Sequence, residues 1–157
     1  MIEDKINAIR VACTPLIGKT IERFESAEIL HDDGTWDDWP DLPIRLYCTN
    51  QTLLSISWSR FDDLWLSNDK SLPFTTDDAT TRWKSNGLET IRAAIGRSVQ
   101  GVSLGRGEIT SESHDIEIWS RLVFYLGGSW LEVFNALDEN GYTLHNAEPD
   151  GEFRKCT

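Results

Sequence analysis

The sequence predicts a single α+β domain, residues 1–157, in which two helices lie beside a mainly antiparallel sheet. The chain is long enough to bury a real core, and 39% of its residues are hydrophobic. Apolar and polar residues alternate over several stretches, which is the period of a strand, whereas only two stretches have helical spacing. Turn-forming pairs separate some of these stretches, so the strands are expected to form antiparallel hairpins.

The first half of the chain is predicted to form one helix followed by strands. Apolar residues at helical spacing indicate a helix over residues 3–13, which Pro15 ends. Strands are predicted over residues 20–30, 44–48, 54–58 and 61–66, and the second and third form a hairpin that turns at Asn50-Gln51. Residues 31–43 contain two prolines and an Asp-Asp-Gly turn signal, so they are predicted to be a loop.

The second half is predicted to form another helix and a second hairpin. The helix begins at Asn86, where Glu89 completes a capping box, and it stops at Gly96. The next predictions are an extended segment at 98–104, a loop at 105–113 and a hairpin over 116–136. Asn140-Gly141 is the best tight-turn signal of the sequence, and the polar tail, residues 149–157, is expected to be frayed.

The two halves, residues 1–78 and 79–148, carry similar features in the same order. The matching pairs are residues 16–21 with 94–99, the two hairpins, and Phe61-Asp62-Asp63 with Leu137-Asp138-Glu139. Two tandem α-β-β-β repeats would produce this order, because each unit alone leaves an apolar face to bury. A similar order also arises by coincidence in α+β proteins, so both interpretations stay open.

The charge of the chain restricts its partners. The formal net charge is −11, which repels nucleic acids and anionic membranes and attracts basic proteins. The longest apolar runs are too short to span a bilayer, and the N-terminal residues are acidic where a signal peptide needs basic ones. A cytoplasmic location is therefore expected.

The cysteines and histidines indicate neither a disulfide framework nor a metal site. The three cysteines, Cys13, Cys48 and Cys156, are widely spaced, and the three histidines, His31, His114 and His145, lie far from them and from one another. Acidic pairs are frequent, but the loop of residues 31–41 lacks the spacing of a calcium-binding loop. No cofactor is expected.

One motif favours an enzyme. The segment Gly101-Val102-Ser103-Leu104-Gly105 matches the nucleophile elbow of α/β-hydrolases, and Asp138 and His145 follow in the order of their triad. The elbow requires a helix after the serine, whereas a polar loop is predicted there. A small serine hydrolase using Ser103 is therefore kept as the alternative function.

The strongest binding signal is an acidic segment that carries tryptophans. Residues 22–41 hold eight acidic side chains and one basic side chain. The predicted binding residues combine carboxylates with two indoles: Asp32, Asp33, Trp36, Asp37, Asp38, Trp39 and Asp41. Interfaces concentrate their binding energy in aromatic and charged anchors, so this segment is predicted to grip a partner. Trp36 and Trp39 are equally expected to be interface anchors or lids over the core.

Two segments, residues 57–64 (SWSRFDDL) and 130–142 (WLEVFNALDENGY), are similar in style to small acidic immunity-type proteins encoded beside bacterial toxins. The resemblance extends to size, acidity and α+β alternation. It implies a non-enzymatic protein that binds a basic toxin and blocks the active site of that toxin. The net charge, not the resemblance, predicts that neither nucleic acid nor a membrane is a partner. A plain oligomeric scaffold domain is a further alternative.

Overall fold

A computed structural model of the chain describes residues 1–76, 78–110 and 115–157, with side chains described outside 108–116. The described part contains the α-helix α1 (Ile2–Cys13) and two 3₁₀ helices, Thr14–Leu16 and Glu89–Ala94. Its strands are β1 (Ile21–Leu30), β2 (Trp36–Asp38), β3 (Ile44–Cys48), β4 (Thr52–Ser59), β5 (Asp63–Ser67), β6 (Thr81–Ser85), β7 (Gly101–Thr110), β8 (Asp115–Tyr125), β9 (Trp130–Asn135), β10 (Asn140–His145) and β11 (Phe153–Lys155).

The strands form two antiparallel sheets with the same order. In the first sheet, β6 pairs with residues 25–29 of β1, while β2 and β3 lie in succession along the other side of β1. β4 and β5 complete this sheet, and the second sheet has the order β11-β7-β8-β9-β10. In the first sheet, β2 and β3 together pair with one side of β1. In the second sheet the single long strand β8 pairs with β7 in the same position. The predicted α+β class with a mainly antiparallel sheet is confirmed.

The pairing registers of the two sheets also match. Phe24 of β1 pairs with Leu46 of β3, and Val102 of β7 pairs with Phe124 of β8, so the two pairs are related by one constant shift along the chain. In each sheet the next two strands follow as a meander, and the closing strand returns to the first one. Each half therefore contains more strands than the predicted α-β-β-β unit. β6 belongs to the first sheet although it lies beyond residue 78.

The two sheets meet where the chain enters their first strands. Thr20 and Ser98 form a β-bridge there, and their hydroxyl oxygens lie 3.2 Å apart. Four backbone hydrogen bonds surround this bridge in reciprocal pairs: Gly18 N to Val99 O (2.8 Å) with Gly96 N to Ile21 O (2.8 Å), and Ile21 N to Arg97 O (2.9 Å) with Val99 N to Lys19 O (2.9 Å). Gly18 and Gly96 consequently occupy equivalent positions, each after a 3₁₀ helix and each with positive φ, +80° and +88°.

One hydrophobic core lies between the two sheets. Leu54 and Ile56 of β4 and Leu131 and Val133 of β9 are fully buried in it. Complete burial of a side chain of this size contributes about 1.5–3 kcal/mol. The predicted first helix is confirmed as α1, which packs beside β5, and the second 3₁₀ helix packs beside β10. The two helices thus pack beside the end strands of different sheets.

The chain crosses the outer face of each sheet before it forms the closing strand. Residues 68–76 and 78–80 belong to the connection from β5 to β6, and residues 146–152 lead from β10 to β11. The prediction of a frayed tail is wrong, because β11 pairs with β7 and the following Cys156 is 2% exposed. β7 pairs with β8 on one side only, so its other edge is available to the short strand β11, which orders the tail.

The second predicted helix is wrong in type and in its start. The 3₁₀ helix begins at Glu89, and Leu88, without a side-chain hydrogen bond, precedes it. Asn86 instead has a φ of +55° and accepts the backbone N–H of Phe24 with its side chain at 2.9 Å. Its amide therefore connects β6 to β1 rather than capping a helix.

Three local predictions are corrected by strand pairing. The predicted loop at 105–113 is strand as far as Thr110, and the predicted loop at 31–43 contains β2. The turn predicted at Asn140-Gly141 lies instead at Leu137-Asp138, whose φ angles are +57° and +68°. Gly141 is in β10, where the ring of Phe134 lies so close that a Cβ would be 2.4 Å from its Cζ. A glycine can therefore mark a close approach as well as a turn.

We expect Gly18→Ala and Gly96→Ala to lower the free energy of unfolding by similar amounts, about 1–2 kcal/mol each, because both need left-handed backbone. Neither added Cβ would meet an atom within 4 Å, so the cost is conformational and not steric. Gly101→Ala is the matched control, since that position also has open space but lacks positive φ. Urea unfolding of the three variants measures the difference. Equal stability of all three would contradict a conformational cost at Gly18 and Gly96, and unequal losses at these two positions would contradict their equivalence.

Candidate partner-binding surface

The predicted binding segment forms a hairpin at the end of the first sheet. We call residues 31–41 the acidic edge. β2 pairs with the end of β1 from Leu30 with Trp36 to Glu28 with Asp38. The carboxylate of Asp33 accepts both the backbone N–H of Thr35 at 2.9 Å and its hydroxyl at 2.6 Å. These hydrogen bonds lower the pKa of Asp33, so it keeps its negative charge in mildly acidic solution.

Trp36 is half-buried beneath a basic side chain. The guanidinium of Arg82 lies 4.0 Å from the centre of its ring and donates to Glu28 at 2.8 Å. Glu28 is 5% exposed, and the ammonium of Lys84 lies 3.9 Å from it. An exposed cation–π contact contributes about 0.5–1 kcal/mol. Trp36 is therefore oriented by its neighbours while part of its surface stays accessible.

Trp39 is also half-buried, and its indole N–H donates to the carboxylate of Asp41 at 3.0 Å. Its backbone N–H donates to Ala27 O at 2.9 Å, which continues the pairing beyond β2. Leu42, which follows the acidic edge, is 2% exposed, so the buried apolar side chain here is Leu42 and not Trp39. Neither tryptophan is a fully buried core residue, and the surface thus retains both indoles.

The carboxylates of the acidic edge point into solvent. Asp32, Asp33, Asp37, Asp38 and Asp41 are all exposed. Asp37 pairs with the imidazole of His31 at 2.9 Å, and no other member of this set has a basic partner within 4.0 Å among the described residues. Exposed charges that lack local partners act over a Debye length, about 10 Å at 0.1 M salt. The acidic edge therefore supplies long-range attraction for a cationic surface.

A buried amide joins the acidic edge to the second sheet. The side-chain nitrogen of Asn140 donates to Leu42 O at 3.3 Å and to Ile56 O at 3.1 Å, and its oxygen accepts the Trp58 N–H at 2.9 Å. Its backbone N–H donates to Pro40 O at 3.0 Å. The β9–β10 turn therefore lies directly beside the end of the acidic edge.

That turn adds charge and an apolar tip to the surface. Burial raises the pKa of Tyr142, and the nearby carboxylates of Asp38 and Glu139 raise it further. Leu137 is 96% exposed in a left-handed conformation. A large apolar residue in such a conformation is rare, and unfavourable backbone conformations concentrate at functional sites.

Phe61 forms a second apolar tip beside Leu137. It is 72% exposed, and both residues border a groove of about 740 Å³. Asn135 connects the two turns, because its amide nitrogen donates to the carbonyls of Arg60 and Phe61 while its oxygen accepts the Asp138 N–H. The sequence analysis had matched Phe61-Asp62-Asp63 with Leu137-Asp138-Glu139. That match relates Phe61 to Leu137, but it does not predict that both side chains are exposed.

The proposed hydrolase residues are not brought together. Ser103 lies in β7 and pairs with Val123 and Lys155, so the chain after it continues as a strand as far as Thr110. His145 lies in β10, three strands away, where its Nε2 is 2.8 Å from a carboxylate oxygen of Glu132. Asp138 belongs to the exposed β9–β10 turn. The glycines at 101 and 105 are strand residues rather than parts of an elbow.

Other kinds of site receive little support from the described residues. Cys13, Cys48 and Cys156 are free and buried, and burial raises the pKa of Cys48 and Cys156 to about 11. No three metal-ligating side chains converge within the described ranges, and no described helix is long and apolar enough to cross a membrane. His114 and Asp77 lie outside the described residues.

No protein-family model matches the chain, and neither does any curated protein or any solved structure. Function is therefore inferred from the surface features of the chain itself.

We expect Asn140→Ala to lower the free energy of unfolding by about 2–4 kcal/mol, because it leaves several buried backbone groups without partners at about 1–3 kcal/mol each. Asn146→Ala is the control, since Asn146 is exposed and should shift stability by less than about 0.5 kcal/mol. Urea unfolding followed by tryptophan fluorescence measures both. A small effect of Asn140→Ala would show that the acidic edge is held in place by other contacts.

Proposed function

We propose that the protein is a non-enzymatic binding protein whose acidic edge engages a basic protein partner. The exposure of five carboxylates around two half-buried indoles is the observation that carries the proposal. Charges of this kind steer a cationic partner to the surface, and aromatic anchors then hold it. Phe61 and Leu137 extend the anchoring area beyond the acidic edge.

The kind of partner that fits best is a basic bacterial toxin, for which the protein would be a cytoplasmic immunity protein. The net charge of −11 supports this choice, since electrostatic complementarity raises association rates and rejects partners of like charge. Inhibition would follow from occlusion, because a rigid surface seated over an active site excludes substrate. Asn140, Asp33 and Arg82 hold the acidic edge in a preorganised conformation, which reduces the entropy lost on binding.

The structure also offers a plainer role for the same charges. β2 is short and, among the strands that the structure describes, pairs with β1 alone; charged residues protect such edges from pairing with other chains. Under that role Asp37 and Asp38 would matter for solubility, and their removal would leave partner binding unchanged. Kinetic measurements on the bound complex distinguish the two roles.

We expect Asp37→Asn and Asp38→Asn to slow association with the partner, and the slowing should shrink as salt rises. Trp36→Ala or Trp39→Ala should instead speed dissociation, about 30-fold for a loss of about 2 kcal/mol. The partner is first isolated from the source cell on the immobilised chain, and rates are then measured by surface plasmon resonance. Glu22→Gln is the matched control, because it removes an exposed charge from β1 far from β2. Tryptophan variants that bind normally but melt early would assign the indoles to folding.

We expect Leu137→Asn to weaken partner binding while it raises the stability of the free protein by about 1 kcal/mol or less. Asparagine tolerates left-handed backbone better than leucine does, and the exposed side chain makes few contacts that could be lost. Urea unfolding and the dissociation rate report the two effects separately. Unchanged dissociation would remove Leu137 from the interface.

The proposal extends to the origin of the architecture: the two halves descend from one duplicated unit. Matched sheet order, matched registers and the reciprocal hydrogen bonds around Thr20 and Ser98 support this history. Coincidence would account for a similar order of elements, but it gives no reason for equal hydrogen-bond partners on both sides of the bridge. Unequal costs of the alanine substitutions at Gly18 and Gly96 would argue against duplication.

A further inference from the structure

A groove of about 1050 Å³ lies between α1 and the outer edge of β5. One wall is the exposed side of the helix, including Ala8 and Val11, of which Val11 is 70% exposed. The other wall consists of consecutive residues 62–66, and such a run can line a groove only if the strand presents its backbone edge. The groove therefore combines an apolar helix face with the edge of a sheet.

That edge has no partner strand among the described residues. β5 pairs with β4 from Asp63 with Ser59 to Ser67 with Ser55. The N–H and C=O groups of every second residue of β5 point away from β4, and no described strand accepts them. Natural proteins protect such edges with charges, prolines or bulges. At the centre of β5, however, the sequence is Leu64-Trp65-Leu66, and all three residues are only half-buried. A strand edge with this apolar sequence is suited to pairing with a strand from another chain.

The groove is held open by contacts at both of its ends. At one end the ammonium of Lys5 donates to Asp62 O at 2.6 Å and to Trp119 O at 3.1 Å. At the other end the amide of Asn68 donates to Ala12 O at 3.0 Å and to Leu53 O at 2.9 Å. The helix is thus fixed to the strand at two points, and the space between those points is preformed.

The edge of β5 is long enough to pair with an extended segment of chain. β5 has 5 residues, which at about 3.3 Å per residue gives an edge of about 17 Å. An added strand would place alternate side chains toward α1, where Ala8 leaves room and Val11 offers apolar contact. The other side chains would project from the opposite face of the sheet, beside Trp65.

Charge identifies the occupant. Asp62, Asp63 and Glu117 line the groove. The cations among the described lining residues are already paired, Lys5 with Asp62 at 3.2 Å and the N-terminal ammonium of Met1 with Asp4 at 3.6 Å. A second copy of the chain carries the same net charge of −11 and would be repelled. A basic segment of another protein satisfies both the acidic lining and the open backbone.

We propose that this groove binds an extended, basic segment of another protein, which adds to the first sheet as a strand antiparallel or parallel to β5. Main-chain hydrogen bonds supply the affinity in this mode of recognition, and the pockets for alternate side chains supply the specificity. This inference goes beyond the acidic edge, because it rests on other residues and holds whether or not the acidic edge binds a partner.

The test uses the full chain, labelled with ¹⁵N, and an alternating lysine–valine peptide as the probe. The expected result is a set of chemical-shift changes confined to β5 and α1, with slower hydrogen exchange for the amides of β5. Ala8→Arg places a bulky side chain in the groove and should weaken binding about tenfold or more, equivalent to about 1.4 kcal/mol. Asn7→Arg adds the same charge to an exposed helix position that does not line the groove, so it should bind like the unmodified chain.

Several outcomes would overturn the inference. Equal binding of a glutamate–valine peptide would remove the charge argument, and equal binding of a lysine–valine peptide with methylated backbone nitrogens would exclude strand addition. Failure of the unmodified chain to bind the lysine–valine peptide would show that the edge of β5 is closed. A dimer detected by analytical ultracentrifugation, with slowed exchange in β5, would assign the groove to a second copy instead.

Discussion

The reciprocal hydrogen bonds between residues 18–21 and 96–99 determine how the two sheets meet, and the rest of the fold depends on this junction. Each bond has a counterpart of opposite direction, so the two first strands leave the bridge of Thr20 and Ser98 in opposite senses. α1 precedes β1 and reaches β5 of the first sheet, and the second 3₁₀ helix precedes β7 and reaches β10 of the second sheet. Both helices bury apolar residues there, such as Ile9 and Ile91.

A second regularity lies on the outer faces of the sheets, beneath the crossing segments. The guanidinium of Arg45 lies 3.6 Å from the ring centre of Trp83 and donates to Lys70 O at 3.1 Å. In the other sheet the guanidinium of Arg121 lies 4.8 Å from the ring centre of Phe153 and donates to Asp150 O at 3.0 Å. In both cases an aromatic residue of the closing strand covers the arginine, and a backbone carbonyl of the crossing segment accepts one of its N–H groups.

Arg121 also pairs with Glu132. Burial raises the pKa of Glu132, but hydrogen bonds from Arg121 and His145 outweigh burial and hold its pKa below the usual value. The crossing segments are thus fixed by polar contacts rather than by apolar burial.

The strands that bury one face could be predicted from the sequence, because period-two alternation follows from burial whichever strand is the partner. The short strands β6 and β11 could not, since each has a single aromatic residue among polar ones and pairs with the free edge that the first strand of its sheet offers. The turn at Leu137-Asp138 was missed for a related reason: the amide of Asn140 is held by backbone groups from distant parts of the chain. Composition alone identified the acidic edge. Its apolar neighbours depend on the amide of Asn135, which joins two turns that are remote in sequence.

The turn over residues 60–63 belongs to both proposed binding surfaces and connects them. On one side its carbonyls accept the amide of Asn135, which holds Phe61 beside Leu137. On the other side Asp62 holds Lys5 of α1 and closes one end of the groove. A basic partner that lays a strand along β5 would bring its flanking residues directly to the two apolar tips. Occupation of one surface would then raise the effective concentration of the partner at the other, so two weak contacts would combine into a tight complex. The rigidity of this single turn, set by hydrogen bonds to an amide and an ammonium, would determine how strongly the two surfaces are coupled.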